Sequence, residues 1–510
     1  HFIPVAVIQR NLDGMEAVKL NVFHWHLSDD QGFRVESKKF PLLQEKGSNG
    51  EYYTQDQIRE VVRYARDRGI RVVPEFDMPA HTTSWFVGYP YLASGPGPYR
   101  IATQMGVVQN AAMNPTKDSA YEFIDALIGE MVELFPDRYF HVGGDECNGK
   151  EWDSNPEIQS YMREHHLATN AALQAHFTSR VQKLVAAHNK VMEGWDEVLQ
   201  PGTPKDVVIQ SWRGLASLAQ TARLGNPGIL STPYYLNRYF STSQYYLADP
   251  LGGEAATLTS QQQARILGGE AAIWGEYVSP ENIDIRIWPY LAAVAERFWS
   301  PQDVRDVDSM YERLAILSAK LEWYGLNIKA DVNEMLQRMS GNADPVPLRL
   351  LSSVVQPPEK YVRWKLDGTL MAYTTLTPLN RLVDATPPES ETARKFIGLA
   401  QKIAAGAATP EQWHQAQQWL TVWRDNDARL QPIIARSALM TELTPLSRGL
   451  NEVAVIGLKA MDNLKNNQTV PAEERQYNLD AARSAQQPHA GLRNMVAPAV
   501  EVLVQATRAT

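Results

Sequence analysis

Two adjacent acids, Asp145 and Glu146, follow the run His141-Val142-Gly143-Gly144. Paired carboxyl groups are tools of proton transfer and of charge stabilisation at a reacting centre. Tyr139 to Val142, just before them, reads as a short buried strand. The two glycines let the backbone turn tightly and let another group approach it closely. Neighbouring acids at a glycine-lined strand end make a poor core and suit a catalytic opening.

Other polar and aromatic residues fall just after further apolar runs. Asp29 and Asp30 follow Leu20 to Leu27, and Asp77 and His81 follow Ile70 to Phe76. Trp195 ends Val191 to Trp195, and Trp212 ends Val207 to Trp212. Tyr235 and Asn237 follow Gly228 to Thr232, and Trp274 and Glu276 close the run from Gly269. Any one of them alone reads as a satisfied loop polar group or a half-buried aromatic. Their joint placement is what singles them out.

The elements needed to position these residues are legible as alternation. The seven apolar runs are mostly separated by helical patterns: Gln55 to Arg68 with Thr54 as N-cap and Gly69 as stop, Ser119 to Leu134, Asn170 to Asn189, and about Ile287 to Phe298. Such alternation predicts parallel βαβ units. The expected fold is a (β/α)8 barrel, whose active sites form at the carboxyl ends of the strands. Phe2, Val5, Val7, Ile8, Leu12, Met15 and Val18 fall on one helical face, so the chain is expected to open inside the helix after the first strand, and the runs count as strands two to eight. A doubly wound open sheet is the structural alternative; no Rossmann glycine fingerprint or P-loop supports it. Beyond about Gly341, past a proline-rich linker at Pro345-Val346-Pro347 and Pro357-Pro358, helical patterns run over Ser390 to Gly406, Pro410 to Asn426, Leu430 to Leu464 and Ala472 to Thr507. The expected organisation is a barrel over 1–340 and an α-helical accessory domain over 341–510, the latter a packing or spacer module.

Composition excludes several classes. The 510 residues can bury a large core, and a net charge of −9 gives no footprint for nucleic acid or an anionic membrane. No apolar run reaches the length of a membrane span. The single cysteine, Cys147, permits no disulfide within the chain. It follows Glu146, which would raise rather than lower its pKa, so a small buried filler is expected and not a nucleophile.

Four motifs in order resemble the family-20 glycoside hydrolases, the β-N-acetylhexosaminidases. They are His24 to Gly32 (HWHLSDDQG), Pro74 to His81 (PEFDMPAH), His141 to Glu146 (HVGGDE) and Trp274-Gly275-Glu276. The resemblance runs from His1 to about Trp323 and leaves the helical domain uncovered. It implies exo-acting hydrolysis of terminal non-reducing β-linked GlcNAc, or GalNAc, with retention and without cofactor or metal. It also implies that the sugar's own 2-acetamido oxygen attacks the anomeric carbon and forms an oxazolinium ion. The residues agree on one point. Ordinary retaining glycosidases set two carboxyl groups roughly 5–5.5 Å apart across the scissile bond, whereas adjacent residues on an extended segment point to opposite sides. By the resemblance, Glu146 is the proton donor and later the base, with a pKa raised by partial burial. Asp145 stays ionised and holds the acetamide N–H, and Tyr235 donates to the acetamide oxygen. Trp195, Trp212 and Trp274 box the acetamide methyl and stack on the sugar, while Glu276 and Asn237 bind hydroxyls. Asp29 and His81 link to the acid, with Asp77 nearby.

The resemblance also implies a first strand with an arginine for the 3- and 4-hydroxyls, and a small α/β domain, both ahead of His1; a gene fragment is the expected reading. Asn237 stands where many relatives carry Asp, and Ser243-Gln244-Tyr245-Tyr246 replaces a stretch that often holds another tryptophan. Two other readings stand beside this one. His24-x-His26 with His81, His141 and several Asp could form a binuclear zinc site of amidohydrolase type, although two histidines hydrogen-bonded inside a barrel would look the same. A non-catalytic sugar-binding relative would keep the tryptophans and lose the acids. Expected partners are N-acetylhexosamine-terminated glycans, and the expected home is outside a bacterial cytoplasm.

Overall fold

The computed structural model describes residues 1–106, 110–360, 362–368 and 373–510. Seven strands form one parallel sheet in sequence order: β1 (Val22–His26), β2 (Arg71–Glu75), β3 (Tyr139–His141), β4 (Val191–Trp195), β5 (Val208–Ser211), β6 (Gly228–Leu230) and β7 (Ile266–Gly269). They occupy the positions counted from sequence as two to eight. The order never reverses, so there is no doubly wound switch point. The sheet is curled: His24 on β1 reaches Glu270, the residue after β7, with Nδ1 2.8 Å from Oε1. No strand pairs with the outer edges of β1 and β7 among the described residues. A cavity of about 1100 Å³ lies between them and runs up to the carboxyl rim.

Strand alternation divides the side chains. On β1, Trp25 turns outward onto Tyr53 and Phe135, while His24 and His26 turn inward to Glu75. The outer face carries the apolar core. It packs on helices α1 (Val5–Ala17), α2 (Gln55–Arg66), α3 (Asp118–Met131) and α4 (Asn170–Ala187) through residues such as Leu12, Ile58, Ile124 and Val181. Thr54 forms the full capping box with Gln57 at the start of α2.

Two boundaries differ from the sequence reading. The last run was expected to pair from Gly269; pairing starts at Ile266 and stops at Gly269. Its partner β6 ends at Leu230, and the chain then turns, so Ala272 regains only an isolated bridge to Tyr235. The helix expected from Ile287 starts at Tyr290, because Trp288-Pro289 interrupts it after a short turn.

After the last strand come α5 (Val307–Trp323), which packs on the barrel, and α6 (Ile328–Ser340), then a helical layer with its own core: α7 (Glu391–Ala404), α8 (Pro410–Ile434), α9 (Thr444–Lys465), α10 (Ala472–Ser484) and α11 (Ala497–Ala506). Pro345-Val346-Pro347, read as linker, instead opens the helix Val346–Ser352, since proline is tolerated in a first helical turn.

Candidate active site

Asp145 and Glu146 stand past the end of β3. Gly143 and Gly144 have φ of 67° and 101°, and Glu146 itself is left-handed at 52°. Glycine is required at 143 by contact as well as by conformation: a Cβ there would fall 1.7 Å from Asp77 Oδ1. That carboxylate accepts the Gly144 N–H at 3.0 Å and pins the turn to the end of β2. The expectation that Asp145 and Glu146 point to opposite sides is therefore not met, because the segment is not extended. Both turn to one imidazole: His81 Nε2 lies 3.5 Å from Asp145 Oδ2 and 3.4 Å from Glu146 Oε2. Asp145 is 13% exposed and Glu146 40%, which leaves Glu146 the more accessible to a bound molecule.

His81 is the centre of a chain of charges. Its Nδ1 lies 3.0 Å from Asp29 Oδ1, and Asp29 Oδ2 lies 3.1 Å from His26 Nε2. Burial would depress the His81 pKa, but Asp29, Asp145 and Asp77 around it outweigh burial and raise it well above the usual histidine value. Burial would raise Asp29; His81 and His26 outweigh it and hold the carboxylate well below its ordinary range. Burial raises Asp145, with cationic His81 opposing. Asp77 is raised well above its ordinary value by burial and by Asp145 beside it. Asp30 lies beside this chain and accepts the Thr83 N–H at 2.9 Å.

The aromatic residues gather at the same mouth. Trp195 and Trp274 have ring centroids 6.1 Å apart, and Tyr235 meets Trp274 edge-on at 6.1 Å. Trp212 Nε1 donates to Glu197 Oε2 at 3.1 Å, which fixes its indole. Asp29, Asp77, His81, Asp145, Glu146, Trp195, Trp212, Tyr235, Trp274 and Glu276 all line the cavity. Burial raises the Glu276 carboxyl. Asn237 does not line the cavity; it sits on the turn Leu236–Arg238, and its neighbour Arg238 lines it instead. Cys147 packs half-buried in a small apolar cluster with Trp152 and Leu173, and burial pushes its thiol up to about 12.

Sequence reasoning missed Glu75 and Glu197. Glu75 is buried at the end of β2 and accepts the Trp195 Nε1–H at 2.9 Å, with His26 Nδ1 at 2.7 Å and His141 Nδ1 at 3.2 Å. Its one signal was a charged residue inside an apolar strand run. Three groups have potential ligand atoms within 4.8 Å of one another: His24, Glu75 and His141; Asp29, Asp30 and His81; Asp77, His81 and Asp145. In the first, His24 already faces Glu270 and Glu75 at 2.8 and 3.0 Å, the pairing of a hydrogen-bonded barrel interior.

A curled parallel sheet with acids, an imidazole and aromatic rings gathered at its carboxyl rim defines a barrel-type protein whose site lies at the strand ends. Residues 1–302 match the model of glycosyl hydrolase family 20, catalytic domain, and the chain belongs to that family. It is 40% identical over 337 residues to the human beta-hexosaminidase subunit beta, covering 62% of this chain and 57% of the human protein. The chain spans about three fifths of the length of the mammalian subunits it matches. Flavobacterium johnsoniae chitobiase superposes with a TM-score of 0.92 at 33% identity, over 99% of this chain and 76% of that one. A Vibrio harveyi exo β-N-acetylglucosaminidase solved with N-acetylglucosamine gives a TM-score of 0.57 at 29% identity, over 64% of this chain and 57% of that one.

Proposed function

We propose that this chain is the catalytic portion of an exo-acting β-N-acetylhexosaminidase that releases terminal non-reducing β-linked GlcNAc, or GalNAc, with retention. The observation that carries the reading is the convergence of Asp145 and Glu146 on His81 beside the Trp195–Trp274 wall. In this reading neither carboxylate bonds the anomeric carbon of the sugar: Glu146 serves the leaving oxygen and Asp145 the acetamide. The 2-acetamido carbonyl oxygen of the sugar then attacks that carbon, and the glycosidic bond breaks as Glu146 delivers its proton to the leaving oxygen. Asp145 accepts the acetamide N–H and stabilises the positive charge of the oxazolinium ring. Tyr235 orients the acetamide oxygen, while Trp195, Trp212 and Trp274 exclude water around its methyl group. Water, deprotonated by Glu146, opens the ring and restores the starting state. The relative solved with N-acetylglucosamine supports a hexosamine in this pocket. In the same reading, residues 1–340 form the catalytic unit and 341–510 buttress it. No helix among the described residues is long and apolar enough to cross a membrane.

The test is Glu146→Gln assayed on two β-N-acetylglucosaminides. Loss of about 10³-fold in kcat is expected with a poor leaving group, and a smaller loss with an activated aryl group. Equal losses would remove Glu146 as proton donor. A substrate with hydroxyl in place of the 2-acetamide should turn over very poorly; comparable turnover would end the neighbouring-group account.

A further inference from the structure

One buried carboxylate touches both halves of the site just described. Glu75 Oε1 accepts from Trp195 Nε1 at 2.9 Å, and Glu75 Oε2 lies 2.7 Å from His26 Nδ1. Trp195 is a wall of the pocket. His26 begins the path to the acids: His26 Nε2 to Asp29 at 3.1 Å, Asp29 to His81 at 3.0 Å, and His81 to Glu146 at 3.4 Å. The His26 ring also meets the edge of Trp274, the facing wall, at 5.2 Å. Glu75 is 1% exposed and held on two further sides by His24 and His141, so it cannot drift to follow either partner.

We propose that Glu75 is a positioning residue that sets the acetamide wall and the proton-donor relay together, with His26 as the joint between them. This rests on the hexosaminidase reading of the pocket. A bound hexosamine presses on Trp195 and Trp274 while its leaving oxygen meets Glu146. One anchor under both keeps the ring of the forming oxazolinium and the delivered proton in register. The carboxylate, and not merely its shape, is needed, because both contacts are from donors: the indole N–H and an imidazole held protonated to about 10 by Glu75 and Asp29 against the penalty of burial.

Glu75→Gln separates charge from volume. Its amide oxygen still accepts from Trp195, but its NH2 then confronts His26 Nδ1, which must give up its proton to receive that bond. Imidazole nitrogen NMR at pH 7, with His26 assigned by the His26→Gln variant, should show an imidazolium in the wild type and a neutral ring in Glu75→Gln. An unchanged His26 signal would overturn the proposal. That measurement needs no turnover, so it remains decisive if the hydrolase reading itself fails. In kinetics, Glu75→Gln should lower kcat/KM by about 10²-fold, the cost of a small misplacement propagated to the reacting atoms. Trp195→Phe, which removes the indole donor and narrows the wall, should act mainly on KM, and His26→Gln mainly on kcat. The double variant Glu75→Gln/His26→Gln should be no worse in kcat than the poorer single one. Additive losses would overturn the link. If Glu75→Gln does not fold, His26→Gln decides: kcat equal to wild type would overturn the proposal, and a fall in kcat at unchanged KM supports it.

Discussion

Glu193 shows how a single buried acid can tie stability to pH. It lies on β4 with its side chain inside the barrel, 4% exposed. Burial pushes its pKa up to about 8, against the pull of His24. An unfolded glutamate titrates near ~4.3. Between that value and about 8 the folded protein holds a proton that the unfolded chain has released. Stability therefore falls as pH rises through this window and levels off above it. Glu193→Gln removes the titration and keeps the volume. Thermal melts should show the variant near wild type at pH 5 and more stable at pH 8.5, by a few kcal/mol on the order of the linked shift. Parallel melting curves at the two pH values would refute this. At this scale the sequence displayed what sits at strand ends, because types such as Asp145, Glu146, His81 and Trp274 are conspicuous there. It did not display Glu75, whose role depends on partners from β1, β3 and β4 that are distant in the chain.

Among the elements, the turn after β3 is the one whose failure would be felt most widely. Gly143→Ala would put a methyl 1.7 Å from Asp77 Oδ1 at a φ of 67°, so either Asp77 or the turn must move. Displacing Asp77 releases the Gly144 N–H and shifts the acids relative to His81. We expect a stability loss of about 2–3 kcal/mol and a fall in kcat/KM of about 10²-fold or more. A variant that melts like the wild type with full activity would show that the turn tolerates a side chain. The glycines were readable because close approach and left-handed backbone leave few other residues possible. Element type was readable for the same kind of reason: helix and strand periods differ, and α2 even announced its capping box. Ends were less so. α8 runs through Pro432 to Ile434 where the sequence suggested a stop at Asn426, because tertiary packing of Leu430 and Ile433 outweighs the lost hydrogen bond.

On the scale of the whole molecule, the helical layer is joined to the barrel by buried polar contacts that no periodicity announces. Arg286, fully buried between the barrel and that layer, donates from Nη1 to the Thr386 carbonyl at 2.9 Å and from Nη2 to those of Val383 and Asp384 at 2.7 and 3.2 Å. Asp384 in turn pairs with Arg363 at 2.7 Å. Tyr311 and Thr242, both on the barrel side, donate to Glu389. Arg286 also lies over the Tyr239 ring at 5.1 Å, beside the turn that carries Tyr235. Sequence reading made the helical region a packing or spacer module, because no chemistry-bearing motif stands in it. Arg286→Met keeps the aliphatic stem and leaves the three carbonyls without their donor. The expected cost is about 3 kcal/mol or more, since each buried acceptor loses a charge-assisted bond and gains no water. Calorimetry should show one transition at a lower temperature, with hydrolysis of an aryl N-acetylglucosaminide impaired through the Tyr235 turn even below that temperature. Two separate transitions with full activity would mean that the helical layer rests beside the barrel without stabilising it.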